Sequence, residues 1–137
     1  MINQRNRDYF DKQVEWVLAR LPQKVLHILT GVPLHVEDQP SKHLMRKLEI
    51  EYADELCGHF SGVPYGEANV INTLVGADVP MTTSVTIFRR GIVAIARNDD
   101  GKLPRNNLRR EIRVTILHEL AHLHGMDEDE IAELGYG

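Results

Sequence analysis

The segment Leu117-His118-Glu119-Leu120-Ala121-His122-Leu123-His124-Gly125-Met126-Asp127-Glu128 places His118 and His122 four residues apart. On a helix that spacing sets both imidazoles on one face, about one turn apart, where they can share a metal ion. Glu119 follows the first histidine and projects beside such an ion rather than into its ligand shell. A carboxylate there can take a proton from a water that the metal activates. Gly125 is the natural stop, because a left-handed glycine turns the chain sharply at a helix end. Residues just past the turn can then point back at the ion. A catalytic zinc needs three protein ligands and one open position. On this spacing Glu128, ten residues after His118, takes the third-ligand slot. Asp127 and Asp129 flank it, and acids at a helix start are stabilising without any metal. Asp127 reads as the cap of a last short helix, with Glu130 completing a capping box.

Upstream, Ile112, Ile116, Leu120 and Leu123 form an apolar stripe at helical spacing, so the helix is expected to run from a cap at Asn106 or Asn107 to His124. Before it, Ser84-Val85-Thr86-Ile87-Phe88-Arg89-Arg90 alternates and is β-rich, which predicts a strand over 84–90 with Val85, Ile87 and Arg89 on one face. Ile92 to Ala96 reads as a short helix. Val32, Leu34 and Val36 predict another strand, closed by Pro40. Towards the N-terminus, Phe10, Val14, Val17, Leu18 and Leu21 predict an amphipathic helix opening near Asp8. A second follows from Pro22 to Gly31. Residues 42–57 are expected to hold one irregular helix. Phe60 to Gly66 is turn-rich, and 66–82 reads as a long surface loop.

The 137 residues are 42% hydrophobic and 26% charged, an ordinary soluble composition that excludes disorder and collagen. One domain over 1–137 is expected, since a second would lack a core. No apolar run approaches the roughly 18 residues of a membrane span. Residues 1–7 are polar, with no apolar stretch of signal-peptide type. Cys57 is alone, so it forms no internal disulfide and the expected compartment is the cytoplasm. A net charge of −4 gives no reason to expect nucleic-acid or membrane binding.

The remaining candidates have plain structural readings. His124 falls on a different helix face from the pair and suits a helix end. His27, His35, His43 and His59 are scattered, and Cys57 reads as a small buried hydrophobe. Lys102, Arg105, Arg109, Arg110 and Arg113 form a basic cluster that reads as a solvated helix face; its functional alternative is a site for an acidic substrate or RNA.

The chain resembles a family of small, single-domain bacterial zincin-like metallopeptidases. The resemblance is nearly full-length. It rests on Gly62-Val63-Pro64, Val85-Thr86-Ile87-Phe88-Arg89-Arg90, Arg113-Val114-Thr115-Ile116-Leu117-His118-Glu119-Leu120-Ala121-His122, Gly125-Met126-Asp127 and Glu133-Leu134-Gly135-Tyr136. Where the family often has Pro after the arginine pair, this chain has Gly91. The resemblance implies an α+β, minimal zincin-like fold, with a small mixed β-sheet packed on helices and an active-site helix beneath it. It implies zinc (Zn2+) on His118, His122 and an acidic third ligand, most naturally Glu128, with Glu119 as general base. The expected activity is hydrolysis of peptide bonds in a peptide or protein substrate.

Tyr65, Arg89 and Tyr136 are candidates to steady the oxyanion, and the strand at 84–90, as a sheet edge, could hold an extended peptide. Two alternatives stand beside this reading. One is a metal-dependent endoribonuclease of the His-x-x-x-His-x-x-Gly-x-Asp-His type. Those proteins resemble one another in having Gly where this chain has Glu119 and His where it has Glu128. The other is a non-catalytic, zinc-containing peptide-binding module.

Overall fold

In a computed structural model the described residues are 2–62, 83–125, 127 and 129. Among them are five α-helices, one 3-10 turn and a three-stranded sheet. The elements are α1 (Gln4–Leu18), α2 (Gln23–Gly31), β1 (Leu34–Glu37), α3 (Lys42–Lys47), the 3-10 turn Ala53–Glu55, β2 (Gly58–Ser61), β3 (Ser84–Phe88), α4 (Arg89–Ala96) and α5 (Arg105–Leu123). The α+β expectation holds. The expected last helix from Asp127 and the loop at 66–82 lie outside the described residues, except that Asp127 and Asp129 are exposed.

α1 starts earlier than expected, because the Asn3 side chain accepts from the Asn6 N–H and satisfies one of the orphan donors of the first turn. It buries Phe10, Val14 and Val17 against α5. α5 is the axis of the molecule. Its residues Leu108, Ile112, Ile116 and Leu123 are at most 1% exposed, and they meet Val85 and Ile87 of β3 and Ile92 of α4 in one core. Its N-cap is Pro104 rather than an asparagine. Asn107 instead donates to the Ala96 carbonyl and the Asn98 side chain, tying α5 to the end of α4.

The sheet order is β1-β3-β2. β3 is central, parallel to β1 and antiparallel to β2. The register sets Leu34 beside Val85 and Val36 beside Ile87 on one flank, and Phe60 beside Val85 and Gly58 beside Ile87 on the other. With period-two alternation these residues share the face turned to α5. The strand expected as a sheet edge is therefore the middle one. The edge over α5 is β2, whose four residues Gly-His-Phe-Ser show no hydrophobic alternation.

β3 ends at Phe88, and Arg89 opens α4. The reason lies in Arg89's partners. Its guanidinium pairs with Asp11 of α1 at 2.9 Å and with Asp38 at 2.9 Å, and Arg7 joins Asp38 at 2.6 Å. Arg90 donates its backbone N–H to the Asp38 carbonyl. Gly91 allows α4 to cross the chain leading into β2, since a Cβ there would fall 2.1 Å from the Leu56 carbonyl oxygen.

Candidate metal centre

α5 carries the histidines in its last two turns. His118 and His122 are half-buried, and their Nε2 atoms lie 3.1 Å apart. The ring centroids are 4.8 Å apart and the planes cross at 70°. Two zinc–nitrogen bonds of about 2.0–2.1 Å at a tetrahedral angle hold their nitrogens about 3.3–3.4 Å apart. The pair therefore fits a shared zinc ion within a few tenths of an ångström, and imidazole is a donor zinc accepts.

β2 runs along the helix above the pair. Phe60 lies over His122, with centroids 6.0 Å apart and planes inclined by 25°. One pleat earlier, Gly58 lies over Glu119. A Cβ on Gly58 would stand 2.7 Å from Thr115 Cγ2 and 3.0 Å from Glu119 Cγ. The Thr115 hydroxyl donates to the Glu111 carbonyl at 2.7 Å, which fixes the rotamer that turns its methyl towards β2. Glu119 is thus 8% exposed, a carboxylate roofed by backbone that has no side chain above it. Neither Gly58 nor Phe60 stood out in the sequence. The signal that could have found them is a glycine two residues from an aromatic, on a strand short enough to escape a periodicity test.

Beside Glu119 lies Cys57, half-buried against the core. Burial, and then the carboxylates of Glu111 and Glu119, push its thiol up to about 11. It remains a protonated thiol at neutral pH, a weak ligand and a poor nucleophile. His59, on the opposite face of β2, is held below the usual imidazole value by burial and by Lys47. His124 is exposed at the C-cap of α5, where its N–H donates to Leu120 and Ala121. Gly125 follows at φ +84°, the left-handed turn expected of it, and donates to the His122 carbonyl.

The other expected site residues are distributed as follows. Glu128, Tyr65 and Tyr136 lie outside the described residues. No group of three metal-binding side chains occurs among the described residues. Arg89 is removed from the oxyanion role: it is 11% exposed and its guanidinium is committed to Asp11 and Asp38. A groove of about 1100 Å³ also sits there, between α1 and α4 over Phe10 and Leu108, away from the histidines. The chemistry of the donor set, not the size of a concavity, marks the end of α5 as the candidate centre.

No curated protein matches the chain. A family model for zincin-like metallopeptidases matches residues 29–137 of the 137. The match begins at Leu29, so α1 and most of α2 precede it, while the sheet, α4 and α5 lie within it. The length of that match, over a helix that ends in a converging histidine pair with a buried glutamate, shows that the chain belongs to the zincin-like metallopeptidase family.

Proposed function

We propose that this protein hydrolyses peptide bonds, with zinc held by His118, His122 and Glu128 and with Glu119 as general base. The observation that carries the proposal is the 3.1 Å approach of the two imidazole nitrogens, with Glu119 buried next to them under β2. Zinc in this position supplies a Lewis acid that lowers the pKa of water towards about 7 and polarises a carbonyl. Glu119 accepts the proton of the attacking water on a carboxylate oxygen and hands it to the departing amine. Gly58 and Thr115 fix where that carboxylate stands. β2 orients the substrate: its inner edge pairs with β3, and among the described residues no strand pairs with its outer edge. An extended peptide adds there as a further strand. Tyr65 and Tyr136 remain the candidates to steady the oxyanion.

The endoribonuclease alternative shares the motif spacing as far as Asp127, and the basic cluster is the feature that pulls it towards RNA. Arg109 and Arg113 precede His118 and His122 by nine residues each. At about 100° per residue, nine residues are two and a half turns, so the arginines occupy the opposite side of α5. They offer no grip on an RNA placed at the histidines. A peptide-binding module without catalysis would need no buried carboxylate beside the ligands.

The test is metal content by mass spectrometry on untagged wild type and His122→Ala, followed by a peptide-library screen. About one zinc per chain, lost in the variant, together with chelator-sensitive cleavage is expected. Wild type that takes up no zinc when it is supplied overturns the proposal. So does zinc-loaded protein that binds peptides without cutting any of them.

A further inference from the structure

The basic cluster stays unexplained by the proposed chemistry, and it is organised. Trp16 of α1 is in close contact with two guanidinium groups. Arg20 stands 3.9 Å from the centre of its ring system and Arg109 of α5 stands 3.8 Å from it. Arg109 Nε donates to the side-chain oxygen of Gln13 at 2.8 Å, and Arg20 donates to the Trp16 carbonyl at 3.0 Å. These contacts hold both groups in place at the mouth of a groove of about 300 Å³ between α1 and α5, which Arg110 and Arg113 also line. Arg105 stands one turn before Arg109 on the same face.

This arrangement is unfavourable for the isolated chain. Arg105, Arg109 and Arg113 repel at successive four-residue spacings. They crowd the N-terminal half of α5, whose first turn holds no acid to complement the positive end of the helix dipole. Arg109 is held below the usual guanidinium value by burial and then by Arg105 and Arg20. Among the described residues, none of the ion pairs involves Arg20, Arg105, Arg109 or Arg113, and Arg110 meets only its neighbour Glu111, at 3.6 Å. All this occurs on a chain of net charge −4. A concentrated, pre-positioned set of cationic forks is what an anionic ligand needs, because little side-chain freedom is left to lose on binding.

We propose that this groove is a docking site for an acidic segment of a partner protein, a run carrying two or three Asp or Glu side chains, on the side of α5 opposite the histidine pair. Guanidinium forks match carboxylates in bidentate fashion. The Trp16 ring already carries two guanidinium groups at 3.8–3.9 Å from its centre, so the groove offers no free aromatic platform of the kind on which single-stranded nucleic acids stack. A duplex is bound through many phosphate contacts, more than four arginines supply, and the net negative charge opposes it. Arg113, the groove residue nearest the pair along α5, stands five residues before His118, about 7.5 Å along the helix axis and about 140° round it. Docking therefore leaves the reactive end clear and does not depend on whether zinc binds there.

The experiment is fluorescence anisotropy of labelled hexaglutamate on the untagged full-length protein at about 50 mM salt. An oligothymidylate of equal charge is the nucleic-acid arm, and each titration is run with and without chelator. Saturable binding of hexaglutamate is expected, weakened by added salt, unchanged by chelator and tighter than that of the oligothymidylate. Arg110→Gln/Arg113→Gln alters two exposed side chains and should keep the wild-type melting temperature while weakening hexaglutamate binding about tenfold. Arg109→Gln also removes the contact on Trp16 and serves as the second variant. Absence of saturable binding to wild type overturns the proposal, as does equal binding by both variants. Loss of binding on chelation would place the acidic ligand at the histidines instead, and preference for the oligothymidylate would make the groove a nucleic-acid site; either result rejects the proposal.

Discussion

Glu119 owes its position to two neighbours that do no chemistry. Gly58 leaves room for the carboxylate's stem, and Thr115 fills the space beside it. Gly58→Ala drives a methyl into Thr115 Cγ2, an overpacking that costs about 1–3 kcal/mol and displaces either β2 or Glu119. It is expected to lower both the urea midpoint and the cleavage rate while zinc stoichiometry stays at the wild-type value. Glu119→Gln keeps the shape of the side chain and removes its basicity. Its zinc content should match wild type, with peptide hydrolysis reduced about 10²–10⁴-fold in a turnover assay. Cys57 gives a simpler check. With its thiol at about 11 rather than 9.0, thiolate at pH 8 is scarcer by about a hundredfold than for an unperturbed thiol. Labelling by a thiol reagent should accordingly be slow in folded protein and fast in urea.

Among the elements, α5 was the most legible. Its stripe of Ile112, Ile116, Leu120 and Leu123 is a long 3.6-residue period, and all four are buried. Ile116→Ala should cost about 2–5 kcal/mol of unfolding free energy, read from urea denaturation, because Ile116 is fully buried and its truncation removes core packing and opens a cavity. The histidine pair was legible for the same reason, since helical spacing alone brings i and i+4 together. The sheet was harder. Val85 and Ile87 announced a strand, but its central place depends on β2, where a glycine and a phenylalanine alternate with polar residues too briefly to register. Arg89 continued the strand pattern and proved to open a helix, because its two carboxylate partners, Asp11 and Asp38, are 78 and 51 residues away in the chain. The cap of α5 was misplaced for a similar reason, as Asn107 spends its side chain on α4. No local pattern reports a partner that distant.

For the molecule as a whole, the Arg7–Asp38–Arg89–Asp11 network joins α1, the segment after β1 and α4. The Arg7 hydrogen bond and then Arg89 hold Asp38 below its ordinary value of 3.8. The folded state therefore favours the ionised carboxylate. Its stabilisation is present above that ordinary value and is lost as pH falls through the lower, folded one. Asp38→Asn is expected to melt below wild type at pH 7, with the gap closing on acidification below about pH 4. Metal acts at the same scale, since a ligand that binds only the folded chain stabilises it by about 2.7 kcal/mol at a hundredfold excess over Kd. Chelation of zinc-loaded protein should lower the melting temperature by several degrees in wild type and leave His122→Ala unmoved.

The strand order has a consequence for synthesis. Among the described residues β3 is the last strand in chain order, and it pairs with both of the others. β1 and β2 leave the ribosome first, and they do not pair with each other. Until Phe88 has emerged, both carry open rows of backbone donors and acceptors, which invite association with neighbouring chains. α5, with the histidines at its far end, follows later still. The three strands thus close into a sheet only once Phe88 has emerged, and β2 comes to lie over the histidine pair only after the sheet and the helix beneath it have met.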